Sequence, residues 1–311
     1  MKYIKELREG DRVSEIYLCK TRNAATTKNG KPYENVTLQD KTGTIDAKIW
    51  EPHSEGIREF APLDYVEIFG EVTSFNGALQ ISIKRTRRCK EGEYLPSDYL
   101  PVSERDKKEM DAQLSALIGS VKNKYLHALL NAFFVEDEAF LKKFRTSSAA
   151  KSVHHGFVGG LMEHTLSVAA LCDHLAKTYP ILHRDLLVTA ALLHDAGKTK
   201  ELSDFPENDY TSEGQFLGHI YIGAQMTESR CAQIPDFPEQ LRMELVHCIL
   251  VHHGKLEFGS PKKPSTPEAL ALNMADELDA KLETFKELDA AKDTPGWQGY
   301  NRLFESNLYL G

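Results

Sequence analysis

Cysteine is scarce and scattered in this chain of 311 residues: Cys19, Cys89, Cys172, Cys231 and Cys248 are odd in number and include no CxxC pair. That pattern argues against a disulfide framework or a thiolate zinc site and predicts buried apolar cysteines. Long apolar runs are missing too. The longest, Leu186 to Leu193, has 8 residues with Thr189 among them, against roughly 18 for a membrane span. The N-terminal stretch MKYIKELREGDRV has neither an apolar core region nor a small-residue cleavage site, so no secretory signal is expected, and a soluble, cytosolic chain without a membrane partner is. Internal repeats and low-complexity tracts are absent. With 41% hydrophobic and 27% charged residues, the composition is globular and the length suits two domains.

The formal net charge of −8 argues against a polyanionic substrate, but the charge is unevenly distributed. Residues 1–90 hold 16 Lys and Arg against 13 Asp and Glu, whereas residues 91–311 hold 22 against 33. The second part therefore either presents a solvated acidic surface or uses some of its carboxylates beside cations such as metals.

Up to about residue 85 the hydrophobic period is two. Val36 and Leu38 share a face within Tyr33 to Gln39, and Ile45, Ala47 and Ile49 do so within Thr44 to Trp50, as in half-buried strands. Asp40 to Gly43 reads as a tight hairpin. A second pair, Tyr65 to Thr73 and Ala78 to Lys84, flanks Asn76-Gly77, the strongest short hairpin signal. With a strand near Val13 to Cys19 and an irregular segment at Glu51 to Phe60, five strands predict an all-β Greek-key barrel of the OB type over residues 1–90. Residues 91–105, with two prolines and no period, read as a linker. Thereafter the spacing turns helical, as in Leu114, Leu117, Ile118 and Val121 or Leu241, Leu245 and Ile249. An all-α domain over 106–311 is expected, with no strand in it.

Histidine is plentiful: 12 in all, several beside Asp or small residues, as in His154-His155-Gly, Glu163-His164, His194-Asp195-Ala-Gly-Lys198, His219 and His252-His253-Gly, with Asp276 in MADELDA. Imidazole and carboxylate together suit Mn, Fe, Co or Zn. An aspartate has two oxygens, so Asp195 is able to bridge two ions, and two ions ~3.5 to 4 Å apart can clamp a phosphodiester and supply its nucleophile at neutral pH. His53, His127, His174, His183 and His247 belong to no such pattern.

His164, His194-Asp195 and Asp276, in that order on helices, resemble the H…HD…D signature of HD-domain metal-dependent phosphohydrolases. VHHGFVGGLMEHTLSV, LLHDAGKTKE and VHHGKLEFGSPK, joined to an OB-like domain and a tail containing Trp297, resemble the YhaM family of bacterial 3′-to-5′ exoribonucleases over essentially the whole chain. The resemblance implies one ion on His164, His194, Asp195 and Asp276, and a second on Asp195, His219 and His252. His253 either replaces His252 as ligand or hydrogen-bonds a substrate phosphate. Asp195 and Lys198 are the expected catalytic residues, Lys198 neutralising a phosphate oxygen, and His154 and His155 face the scissile group. Asp279 is an alternative carboxylate or a supporting partner of a ligand. Mn²⁺ is the expected metal, with Co²⁺, Fe²⁺ or Mg²⁺ as alternatives.

An OB barrel holds single strands on its second and third strands and adjoining loops. Tyr33 and Trp50 lie opposite the inward residues there, Phe75 sits in the last hairpin loop, and Arg22, Lys28 and Lys31 are placed in the first long loop. Stacking and phosphate contacts from these residues suit single-stranded RNA, and also DNA. The expectation is a metal-dependent exoribonuclease that releases nucleoside monophosphates from the 3′ end and is able to form a homo-oligomer. The alternatives are an HD-type nucleotide phosphohydrolase or cyclic-nucleotide phosphodiesterase, a di-iron oxygenase on the same ligands, and a non-catalytic nucleic-acid-binding protein with a structural metal. A closed structural site needs only four ligands, fewer than are present here.

Overall fold

The computed structural model describes residues 2–151, 155–292 and 294–311, and the chain divides into two compact units, Met1–Val102 and Ser103–Gly311. In the first, the period-two segments become β1 (Arg12–Thr26), β2 (Pro32–Asp40), β3 (Gly43–Ile49), β4 (Tyr65–Phe75) and β5 (Ala78–Arg88). They close into a barrel of order β1-β2-β3-β5-β4, with β4 returning to β1 and β3 running parallel to β5. This is the OB arrangement, in which closure pairs each strand of the barrel on both sides. The alternating residues fill it: Val36, Leu38, Ile45, Ala47 and Ile49 are buried with Tyr17, Ile68 and Ile81. Both hairpins form where the turn residues place them. Asp40 Oδ1 accepts the Thr42 N–H at 2.7 Å, and Asn76 and Gly77 take φ of 52° and 80°, the left-handed pair that matches strand twist.

Two features of this unit differ from the sequence expectation. β1 continues past Cys19 to Thr26, pairing with β2 alone beyond a register shift between Cys19 and Thr21. Lys20 to Thr26 has no apolar alternation because neither face of that ribbon is buried. The stretch read as a linker is packed as far as Leu100. Tyr94 stacks on Tyr65 with ring centres 3.7 Å apart, Tyr99 meets Tyr65 edge-on, and Gln39 Nε2 donates to the Tyr99 carbonyl.

The second unit consists of α1 (Lys107–Ser120), α2 (Lys124–Phe134), α3 (Glu138–Thr146), α4 (Gly160–Thr178), α5 (Arg184–Leu193), α6 (Lys198–Glu201), α7 (Ser212–Cys231), α8 (Glu239–Leu250) and α9 (Pro267–Ala291). Side chains of Asp106, Asn123, Asp137, Thr211 and Thr266 cap five of these helices, satisfying first-turn N–H groups. In α5 every residue from Leu186 to Leu193 is buried, which explains why that stretch is apolar all round: it is the central helix, packed by α4, α8 and α9. Among the described residues no helix is long and apolar enough to cross a membrane. The chain closes with a hairpin, β6 (Gly296–Asn301) and β7 (Ser306–Leu310), which the sequence pattern did not predict. Gly296 and Gly299 both take positive φ, and a bulge between Trp297 and Gly299 destroys the alternation that marks a strand.

Candidate metal centre

Five helices and the turns that follow two of them deliver the ligand-type residues to one place. α4 carries His164 and α9 carries Asp276 and Asp279; α5 ends directly before His194-Asp195, α7 carries His219, and α8 ends just before His252-His253. His164 Nε2 lies 3.1 Å from Asp276 Oδ1, 3.2 Å from His194 Nε2 and 3.5 Å from Asp195 Oδ2. The other Asp195 oxygen, Oδ1, lies 3.6 Å from His219 Nε2 and 3.6 Å from His252 Nε2. The two oxygens of Asp195 thus face two separate groups of imidazoles.

Asp195 Oδ1, His219 Nε2 and His252 Nε2 are buried and have no hydrogen-bond partner among the described residues. Each orphaned atom costs ~1 to 3 kcal/mol, and one divalent cation among the three would satisfy them all. Donor atoms of His164, His194 and Asp276, and those of His219, His252 and His253, also lie within 4.8 Å of one another in each trio. The first trio joins imidazoles to a carboxylate, and the second is all imidazole with Asp195 Oδ1 beside it, donors that suit a divalent metal site.

The ring orientations have a common cause. Nδ1 of His194 donates to the Ala191 carbonyl at 2.7 Å, that of His252 to the Ile249 carbonyl at 2.7 Å, and that of His253 to the Phe258 carbonyl at 2.8 Å. His164 Nδ1 bonds Asp279 Oδ2 at 2.7 Å, and His219 Nδ1 bonds Glu201 Oε1 at 2.9 Å. A carbonyl or an ionised carboxylate can only accept, so each Nδ1 donates and each ring turns Nε2 away from that partner as the atom that would meet an ion, the arrangement by which neighbours orient and tune a ligating histidine.

Electrostatics support the same reading. Burial pushes the carboxyls of Asp195, Asp276, Asp279 and Glu201 up. Against it, Lys198 with His194 holds Asp195 well below the usual range, and His164 does the same for Asp276. His155 and His164 bring Asp279 down to about 2, and His219 lowers Glu201. Burial alone would lower His164, yet Asp276 and Asp279 raise it to about 9; burial keeps His252 low, and burial with His252 beside it takes His253 down to about 4. Four buried or half-buried carboxylates therefore share one ion-paired ammonium among the described residues, Lys198, whose Nζ lies 2.6 Å from Asp195 Oδ2. A negative excess of this kind in a buried place calls for cations.

Not every expected residue falls where the sequence placed it. Lys198 grips Asp195 and also lines a cleft of about 1020 Å³ with His164, His253 and Asp276. His155 is buried, its Nε2 3.1 Å from Asp279 Oδ2, and it lines that cleft beside His164. His154 lies outside the described residues. On the barrel, Tyr33 and Trp50 stack with ring centres 5.3 Å apart, Lys48 sits 5.5 Å over Tyr33, and Trp50 and Phe75 are 49% and 64% exposed. Lys28 and Lys31 lie at the exposed β1–β2 connection. Arg22 belongs to β1, not to a loop: its guanidinium pairs with Glu34 at 2.8 Å, donates to the Phe60 carbonyl and lies over the Phe60 ring, because the strand extension carries it back onto β2.

Sequence reasoning missed Glu201, whose signal was its place in HDAGKTKE, three residues beyond Lys198. It also missed two glycines. Gly218, with φ 70° and ψ 153°, breaks α7 so that a new helix begins at His219, a conformation essentially restricted to glycine. A Cβ on Gly197 would overlap the His219 carbonyl oxygen and lie 2.7 Å from the Gly223 nitrogen.

The sequence profile of the HD domain family matches residues 161–281. The chain is 36% identical over 275 residues to the 3′-5′ exoribonuclease YhaM of Bacillus subtilis (strain 168), covering 88% of this chain and 86% of that one. It is 34% identical over 274 residues to the YhaM exoribonuclease of Geobacillus sp. (strain WCH70), covering 88% and 83%. Among solved structures, the second OB-fold domain of replication protein A from Methanococcus maripaludis aligns with 30% of this chain and 99% of its own, at 22% identity and a TM-score of 0.23. With a closed OB-type barrel, a helical HD domain and these relatives along most of its length, the chain belongs to the YhaM family of 3′-5′ exoribonucleases.

Proposed function

We propose that the protein is a cytoplasmic, metal-dependent exoribonuclease that hydrolyses single-stranded RNA, and also DNA, from the 3′ end to nucleoside monophosphates. The observation that carries the reading is Asp195, which turns one oxygen to each of two imidazole sets while its Oδ1 and the Nε2 atoms of His219 and His252 have no hydrogen-bond partner among the described residues. His164, His194, Asp195 and Asp276 would hold one divalent ion, and Asp195, His219 and His252 a second, Mn²⁺ being the first metal to test. Such ions supply Lewis acidity toward a phosphoryl oxygen and activate water.

The protein's own groups orient and exclude. Asp279, Glu201 and the helix carbonyls fix the imidazoles. Lys198 holds Asp195 and brings an ammonium to the cleft, where it would meet a phosphate oxygen. His252 Nε2 lies 3.6 Å from Asp195 Oδ1, whereas His253 lines the cleft, which supports His252 as the ligand and His253 as a contact to substrate. The Tyr33–Trp50 stack, Lys48, Phe75, Lys28 and Lys31 would hold the strand on the barrel. Incubation of end-labelled single strands with the protein and Mn²⁺ tests this. A ladder shortening from the 3′ end with release of mononucleotides is expected; cleavage only of cyclic or free nucleotides, or binding without cleavage, overturns it.

A further inference from the structure

The cleft that opens on His164, Lys198, His253 and Asp276 changes character away from them. Its outer wall is built by Phe258 from the turn after α8, Met274 on α9, and Leu303 and Phe304 from the β6–β7 turn. Phe258, Met274 and Leu303 are 56%, 49% and 49% exposed, a concentration of apolar surface that in a cleft marks a binding place. Phe304 is braced by Phe285, ring centres 4.3 Å apart, so this wall is preformed. Lys255 and Lys263 line the same cleft and make no ion pair among the described residues, and Lys255 Nζ stands 5.1 Å over the Phe258 ring.

Flat apolar walls beside unpaired ammonium groups match the two halves of a nucleotide: a base with π faces and a phosphate. We infer that the helical unit carries its own seat for the terminal nucleotide of a single strand, the base lying against Phe258, Met274 and Phe304 and the backbone phosphates meeting Lys255 and Lys263. The C-terminal hairpin is then a wall of the substrate cleft. This rests on the nuclease reading, which it extends from the reacting phosphate to the base beside it. The barrel would hold distant nucleotides, and this seat the last one.

The full-length protein with Mn²⁺ tests it on two short RNAs, one intact and one with an abasic 3′-terminal nucleotide. Phe258→Ala should raise KM for intact RNA roughly fivefold to 160-fold, the range for loss of one stacked base, with kcat little changed. On the abasic strand, Phe258→Ala and wild type should match. Lys255→Ala with Lys263→Ala should weaken both strands and flatten the log-log salt dependence by about 0.7 per lost contact. Phe304→Ala is a second wall variant, read beside Phe258→Ala because Phe304 also packs on Phe285. Wild-type KM in both wall variants, or equal handling of the two strands by wild type, overturns the inference. So does a change in sedimentation of Phe258→Ala without a change in KM, which would mark the wall as a face for a second copy. If wild type hydrolyses neither strand, the nuclease reading fails separately. The seat then stands if adenosine 5′-monophosphate binds metal-free wild type at least fivefold tighter than Phe258→Ala, and falls if the two bind alike.

Discussion

One oxygen of the Glu201 carboxylate accepts two hydrogen bonds from a single residue, His219: the backbone N–H at 2.9 Å and the ring Nδ1–H at 2.9 Å. The first bond caps the helix that restarts after Gly218, and the second fixes which ring nitrogen faces Asp195. Glu201→Ala should weaken binding of the second ion about 10- to 100-fold, the usual cost of removing such a partner, and leave the first ion in place. Glu201→Gln keeps an acceptor oxygen and should fall between. Calorimetric metal titration of the three proteins reads this directly, and equal affinities would remove Glu201 from the site.

Gly218→Ala tests the break in α7. Its φ of 70° with ψ of 153° should cost about 1 to 3 kcal/mol once a Cβ is present. Denaturant unfolding should show that loss, and metal analysis should show fewer ions per chain, since His219 follows directly.

Asp195→Asn replaces the one group that faces both imidazole sets. Hydrolysis should disappear while single-strand binding by the barrel persists, and a chelator should reproduce the effect reversibly on wild type. Activity of rigorously metal-free protein at the wild-type rate would contradict the two-ion assignment.

The barrel face separates stacking from scaffolding. Trp50→Ala and Tyr33→Ala should each weaken binding of a long single strand by ~1 to 3 kcal/mol, with kcat at saturation little changed. Arg22→Ala should instead lower barrel stability, because its guanidinium is committed to Glu34 and Phe60. Filter binding and thermal unfolding of the same three variants distinguish the two roles.

The barrel was readable because inward and outward residues alternate in β2 and β3, and because Asp40 to Gly43 and Asn76-Gly77 make turns by local chemistry alone. The HD cluster was readable because histidine and aspartate recur at helix ends in a recognisable order. What stayed hidden depended on tertiary contacts. Asp279 was marked as a ligand or a ligand's partner by its spacing from Asp276, but that it holds Nδ1 of His164, and Glu201 that of His219, requires knowing which helices meet. The β1 extension has no buried residue on either face and so leaves no hydrophobic signature. The final hairpin is short, bulged and broken by glycine. Arg22 looked available because its partners lie in Glu34 and Phe60, one of them far along the chain.

Gly197 gives the HDAGK segment a role besides supplying ligands. With no room for a Cβ between it and the His219 carbonyl, the segment acts as a spacing gauge, setting how near α7 may come to the turn that carries Asp195. Of the proposed ligands, His219 is the one whose carbonyl a Cβ on Gly197 would strike, while His164 and Asp276 stand on α4 and α9. Widening that spacing by a single methyl group would therefore release one half of the centre and spare the other, so the ions should be lost in sequence, the second before the first, and a chain holding a single ion is a state that a change at residue 197 alone could isolate.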